Sequence, residues 1–299
     1  MKTFDKILVG IDFSDSSCNA LKQAARIARG EGAELVALHV VVPSEIEESG
    51  RYFTISTDAM LQAFRSEIAV IAERELGPDA GVRGEAVIGI PYRELIAWAE
   101  ENGSDLLVLG SQGCSARPHG VGFFAAKCVR HAKIPVLLTR RRHDQPFKRV
   151  VALVDFSHAT HSVLEAAASV AADEGAELHV VHAVSPPWMR PTHVLYNLKT
   201  SEDAAYKAQY SELLRDEMEA ACKDLKVEAQ THVIEHPNVN QALVDFLRDN
   251  DCDVAVLGRS GHTAKVIRQA VLGTTAERLI HRSPCSVLVV PTGTETTES

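Results

Sequence analysis

A tandem of two doubly wound α/β domains is the fold that this 299-residue sequence predicts. Three observations predict it: an internal repeat, an alternation of short apolar runs with helical periods, and turn chemistry gathered where the runs end. The repeat is read directly. Lys6-Ile-Leu-Val-Gly-Ile-Asp12-Phe13-Ser14 returns as Arg149-Val-Val-Ala-Leu-Val-Asp155-Phe156-Ser157, and Glu31-Gly-Ala-Glu-Leu35 returns as Glu174-Gly-Ala-Glu-Leu178. Asp155 follows Asp12 by 143 residues and Glu174 follows Glu31 by the same 143, a coincidence that chance does not supply over two separated motifs. Gly258 follows Gly110 by 148, so the second copy has gained residues in its loops. The polar stretch from Arg140 to Phe147, with Pro146, offers little to bury and marks the boundary, giving domains over 1–142 and 147–293.

Within the first copy, Ile7 to Ile11, Leu35 to Val41, Val82 to Ile88, Leu106 to Leu109 and Val136 to Leu138 are runs rich in Val, Ile and Leu. Runs apolar on both faces suit strands buried in a parallel sheet. Between them lie helical periods: Ala20, Ala24, Ile27 and Ala28; Leu61, Phe64, Ile68 and Ile71; and Leu95, Ile96 and Ala99 behind Pro91 at a first helical turn. The second copy repeats the order, with Tyr206, Tyr210, Leu213, Leu214 and Met218 in its long second helix. Five alternations imply two Rossmann-like domains, each a five-stranded, mainly parallel sheet flanked by helices and wound right-handedly. The last strands, Val136 to Leu138 and Val287 to Val290, are apolar edges that need covering, so the two copies are expected to pair as an internal pseudo-dimer.

Composition bounds the function. Hydrophobic residues make up 45% and charged residues 24%, a soluble balance. No apolar run reaches the length of a membrane span, and Met1 to Val9 reads as a strand rather than a signal peptide, so a cytoplasmic protein is expected. Six cysteines stand without a CxxC pair, as expected in a reducing compartment. A net charge of -9 argues against nucleic acid and anionic lipid as partners.

Doubly wound sheets bind ligands beyond the carboxyl ends of their strands. Three features of the second copy meet there. Asp155 ends the first strand ahead of Ser157 and a helix, and serves equally as a cap or as a ligand contact. Gly258-Arg259-Ser260-Gly261 follows the fourth strand, its glycines free to turn backbone N–H groups toward an anion. Gly273-Thr274-Thr275 opens the last helix, offering N–H groups, hydroxyls and the positive end of the helix dipole, which is the chemistry phosphate needs. Together these residues resemble the universal stress protein family over essentially the whole chain, twice. The resemblance implies that Asp155 contacts the ribose or adenosine part of a nucleotide and that the backbone of Ala183 lies beside adenine. It also implies that Gly258, Arg259, Ser260, Gly261, Gly273, Thr274 and Thr275 surround the phosphates. ATP or a related adenine nucleotide is the implied ligand, with room for Mg2+ beside ATP. Two departures from the family's pattern are the eleven residues from His262 to Leu272, two more than usual, and Leu153 in place of a smaller residue.

The first copy keeps Asp12 and Gly110-Ser-Gln-Gly113 but sets Gly122-Phe123-Phe124 opposite Gly273-Thr274-Thr275. Phenylalanine has no hydroxyl, and charged oxygens against its ring are costly to bury. This copy is a degenerate site: empty, or holding a nucleoside or an apolar molecule, or a structural half alone. His158 and His161 read as exposed residues of one helix rather than metal ligands, and His179 and His182 point to opposite faces of a strand. Lys265 and Arg268 in the enlarged loop, like Arg259, either reach phosphates or belong to a solvated loop, and Ser14, Ser16 and Ser17 read as helix capping. Neither the Walker A pattern nor GxGxxG is present, and no base or metal-holding carboxylate is visible near Thr274. The expectation is a nucleotide-responsive regulatory protein and no enzyme, the alternative being a scaffold for protein partners with both sites decayed.

Overall fold

The apolar runs become strands and the periodic segments become helices. The structure, a computed structural model, describes residues 4–44, 46, 56–112, 122–140, 145–189, 204–260 and 272–291. The chain divides into two units, Met1–Pro146 with Ser286–Pro291, and Phe147–Cys285 with Thr292–Ser299.

In the first unit the order is β1 (Lys6–Ile11), α1 (Asp15–Glu31), β2 (Glu34–Val41), α2 (Thr57–Leu76), β3 (Val82–Ile88), α3 (Pro91–Glu101), β4 (Leu106–Gly110), α4 (Phe123–His131) and β5 (Val136–Thr139). Helix α1 starts where Ser14 Oγ accepts the Ser17 N–H (3.2 Å), so the serine cluster is a cap as the sequence implies. It stops at Gly32, whose left-handed φ of 64° lets its N–H reach the Ala28 carbonyl. The strands lie in the order β3-β2-β1-β4-β5, each pair parallel. The winding therefore reverses between β1 and β4, which opens a crevice at their carboxyl ends.

The second unit repeats this with β6 (Arg149–Leu153), α5 (Thr160–Glu174), β7 (Glu177–Val184), a 3-10 turn (Pro187–Met189), α6 (Ala204–Cys222), β8 (Ala229–Glu235), α7 (Val239–Asp249), β9 (Val254–Gly258) and α8 (Thr274–Arg282). Its strands run in the order β9-β6-β7-β8 with parallel pairs, and the crevice lies between β6 and β9. The cores are the interior strands: Ile7, Leu8 and Val9 of β1 and Val150, Val151 and Ala152 of β6 are fully enclosed. The expectation of five strands in each sheet is met differently. Strand β10 (Ser286–Val290) belongs to the first unit, where it runs antiparallel to β5 with Leu288 opposite Leu137. A four-residue strand buried on both faces would otherwise present a bare apolar edge, and β10 supplies its hydrogen-bond partner.

Candidate functional site

Each repeat makes an unusual turn after its first strand. Phe13 and Phe156 have φ of 62° and 55°, a left-handed conformation that is uncommon for an aromatic residue. Strain of this kind persists only where the surroundings hold it. Here a histidine does so in both units: His39 Nδ1 lies 2.8 Å from the Ile11 carbonyl with its ring 4.6 Å from Phe13, and His182 Nδ1 lies 2.9 Å from the Val154 carbonyl with its ring 4.3 Å from Phe156. In the second unit the turn leaves Asp155 exposed at the carboxyl end of β6, where its Oδ1 accepts the Ser157 N–H (3.1 Å).

A cleft of about 160 Å3 opens at this point. Asp155, Ala183, Gly258, Ser260, Gly273, Thr274 and Thr275, seven residues expected from the sequence, all line it. Leu153, Val181 and Leu257 form its apolar floor, and Val239 and Leu243 of α7 form one wall. Gly258 is required by the close approach of the next helix: a Cβ there would stand 2.9 Å from the Ala159 Cβ. Gly273 bends the chain into α8 with φ -61° and ψ 148°, so the N–H groups of Thr274 and Thr275 begin the helix without helical acceptors.

Three expectations are corrected. The Gly273 N–H does not face the cleft as a donor; it bonds the Arg259 carbonyl (2.9 Å), which ties the loop after β9 to the start of α8. Arg259 contributes that carbonyl and is not among the described residues lining the cleft; burial holds its guanidinium below its ordinary range. His158 lies in the turn ahead of α5 and not on the helix, while His161, exposed, pairs with Glu165 (3.2 Å). Gly113, Gly261, Lys265 and Arg268 lie outside the described residues. Among the described residues no group of three or more His, Cys, Asp or Glu side chains is placed to hold a metal ion. No described helix is long and apolar enough to cross a membrane. Burial pushes the Cys128 and Cys252 thiols up to about 12, as befits cysteines used as small hydrophobes.

One polar residue among the described lining residues escaped the sequence reading. Thr160, at the start of α5, is 8% exposed, and its Oγ1 has no hydrogen-bond partner among the described residues. Its counterpart Ser17 donates to the Ser14 carbonyl (3.0 Å) and is satisfied. The repeat alignment could have found the difference, since it sets Thr160 on a serine read only as a cap.

The first unit is built differently at the same places. Ser16 stands where the second unit has Ala159, and its Oγ accepts the Gln112 N–H (3.2 Å), so a side chain of the protein occupies the loop amide. Helix α4 begins at Phe123 behind Gly122 (φ -58°, ψ 146°), the same bend as at Gly273, but Phe123 and Phe124 are 68% and 40% exposed and stack edge to face at 5.5 Å. Gly10 leaves space that Leu95 and Leu109 fill; a Cβ at Gly10 would stand 2.6 Å from Leu109 and 3.3 Å from Leu95. In the second unit these places hold Leu153, Leu257 and Leu243. Leu153 therefore adds a side chain to the cleft floor where the first unit has glycine.

Fold and cleft define the class: a doubly wound α/β domain, present twice, with a cleft at the carboxyl ends of the strands in its second copy. The chain belongs to the universal stress protein family, whose profile matches residues 3–140 and again 146–291. Universal stress protein YxiE of Bacillus subtilis is 31% identical over 147 residues, covering 46% of this chain and 99% of that one. Universal stress protein Rv1636 of Mycobacterium tuberculosis is likewise 31% identical over 147 residues, 46% of this chain and 97% of its own. The crystal structure of a universal stress protein from Archaeoglobus fulgidus shares the fold across both repeats, with a TM-score of 0.69 over 96% of this chain and 98% of that chain at 23% identity.

Proposed function

We propose that the second unit binds an adenine nucleotide, ATP or a close relative, and that the chain is a nucleotide-responsive regulatory protein of the stress response rather than an enzyme. The observation that carries this reading is the start of α8, where two threonines whose N–H groups have no acceptor within the helix line the same cleft as Asp155 and the close-packed Gly258. Phosphate oxygens take the N–H groups, the hydroxyls and the helix dipole. The Asp155 carboxylate, an acceptor, takes a ribose hydroxyl, and the apolar floor at Val181 and Ala183 takes the base. Asp155 is the one carboxylate among the described residues that line the cleft, so Mg2+ arriving with ATP would be held chiefly by the phosphates. Binding without turnover is the fitting role, because Asp155 already holds the Ser157 N–H and no second acid or base stands among the described lining residues.

The test is to purify the protein without added nucleotide, denature it, and identify released small molecules by mass spectrometry. Stoichiometric adenine nucleotide supports the reading. A clean supernatant that stays clean after incubation with ATP overturns it in favour of a protein scaffold. Thr160→Val, which keeps shape and removes the unpaired hydroxyl, is expected to leave the unfolding temperature unchanged or higher and to weaken ATP by about 2- to 10-fold, the worth of one net hydrogen bond. Calorimetry and a thermal scan on the same sample check both halves.

A further inference from the structure

In the second unit, His179 finds a partner across the sheet. His179 Nδ1 lies 3.0 Å from His232 Nε2, with the rings 5.3 Å apart and tilted by 19°. Strand register brings this about: Gln230 is opposite His179 and His232 is opposite Val181, so the two histidines are diagonal neighbours on one face. Helix α7 covers them, the Phe246 ring lying 4.9 Å from His232 and 6.5 Å from His179. The first repeat has Val36 and Glu85 at these places, so the pair is particular to the second.

Two imidazole nitrogens at hydrogen-bond distance need one proton between them. The pair accepts one added proton with the contact intact, the cationic ring donating to the neutral one. A second added proton sets N–H against N–H and two charges at contact, in a site where His179 is 8% exposed at its side chain. The charged neighbours do not remove this conflict. On β7, Glu177 stands 3.7 Å from His179 Nε2 and is paired with Arg149 of β6 (3.4 Å). On α7, Asp245 is held by Gln241 and Arg248. On β8, Glu235 accepts from Ser211 of α6. The groove beside His232 is also lined from α6 by Arg215, Glu219, Cys222 and Lys223, two cations, one anion and a thiol.

Phe246 links the pair to the cleft. It sits three residues from Leu243 on α7, one helical turn away on the same side, and Leu243 and Val239 line the cleft. We propose that the His179–His232 pair is a proton-operated switch, in which double protonation separates the rings, displaces Phe246 and shifts the α7 wall of the cleft, so that acid weakens the ligand. The ligand half of this statement rests on the nucleotide reading above; the movement of α7 does not. Burial, and then His179, hold the His232 imidazole below its ordinary range. The fold therefore binds fewer protons than the unfolded chain, and the contribution of the pair is complete above about pH 6.5 and is lost as pH falls through the lowered value.

The experiment is an NMR titration of the full chain from about pH 7.5 to 5.0 without nucleotide, following the histidine rings and the Val239 and Leu243 methyl groups. The methyl shifts are expected to track the His232 ring. His179→Val, which restores the residue of the first repeat, is expected to flatten the methyl response, and His232→Gln, which keeps a polar partner, to do the same. Methyl groups indifferent to pH, or a response unchanged in both variants, overturn the switch. Calorimetry with ATP at the two pH values is expected to show an affinity loss of about tenfold beyond that of His179→Val, within the usual range of coupling between sites. Equal losses in wild type and variant overturn the coupling. A chain that binds no ATP at pH 7.5 removes the nucleotide reading and leaves the methyl titration to decide the switch.

Discussion

Titration of the full chain with ATP is expected to saturate at one nucleotide per chain, and Thr274→Phe is expected to weaken that binding by about a hundredfold or more. The substitution copies the first unit, where Phe123 opens α4 behind the same glycine bend. It removes a hydroxyl and crowds the adjacent N–H with an apolar ring. Charge-assisted hydrogen bonds contribute about 1.5 to 3 kcal/mol each, so the loss of two reaches a hundredfold. Asp155→Ala is expected to weaken binding too, whereas Asp12→Ala is expected to leave it intact, because Ser16 already occupies the Gln112 amide in the first unit. Calorimetry on the four proteins checks this. Two equal sites per chain, or binding lost with Asp12→Ala alone, would sink the assignment.

The largest effect on stability is expected far along the chain from the unit it damages. Leu288→Ala, in β10, is expected to destabilise the first unit by about 2 to 5 kcal/mol, the usual range for truncating a buried leucine. Leu288 is 3% exposed and lies opposite Leu137 of β5. Hydrogen exchange at Leu137 and Leu138 should accelerate in the variant. Unchanged exchange at β5, with destabilisation confined to β6 and β9, would contradict the observed strand pairing.

The acid response adds a contrast between the repeats. His39 and His182 sit at equivalent positions and each bonds a backbone carbonyl beside an aromatic ring, so they brace the left-handed turn in both units. His179 sits on the other face of the same strand as His182, as strand alternation requires, and does something the first repeat does not. That difference is why the pH experiment is informative: one chain carries both the switch and, in Val36 and Glu85, its counterpart without histidine.

How much of the site was legible depends on the range of the interactions involved. Gly273-Thr274-Thr275 could be read because glycine bends, helix starts and hydroxyl donors are properties of three adjacent residues. The capping by Ser14 was legible for the same reason. The backbone part of Arg259 was not legible, because its carbonyl accepts the Gly273 N–H across a loop that no run of adjacent residues encodes. Thr160 was missed because a threonine beside a helix start reads as a cap, and only the three-dimensional arrangement shows its hydroxyl without a partner at the cleft.

By itself, the sequence determined the two repeats, the alternation of strand and helix, the direction of the parallel sheets and the crevice where ligand chemistry gathers. These follow from periodicity and local backbone preference, which adjacent residues carry. Tertiary structure alone decided which unit holds β10, which nitrogen of His179 meets which nitrogen of His232, and whether Leu153 has room. Strand partner, register and residual volume depend on residues more than fifty positions apart, as with His179 and His232. No local pattern encodes such distances, because they are set only when the sheet closes and the core fills to the density of a solid.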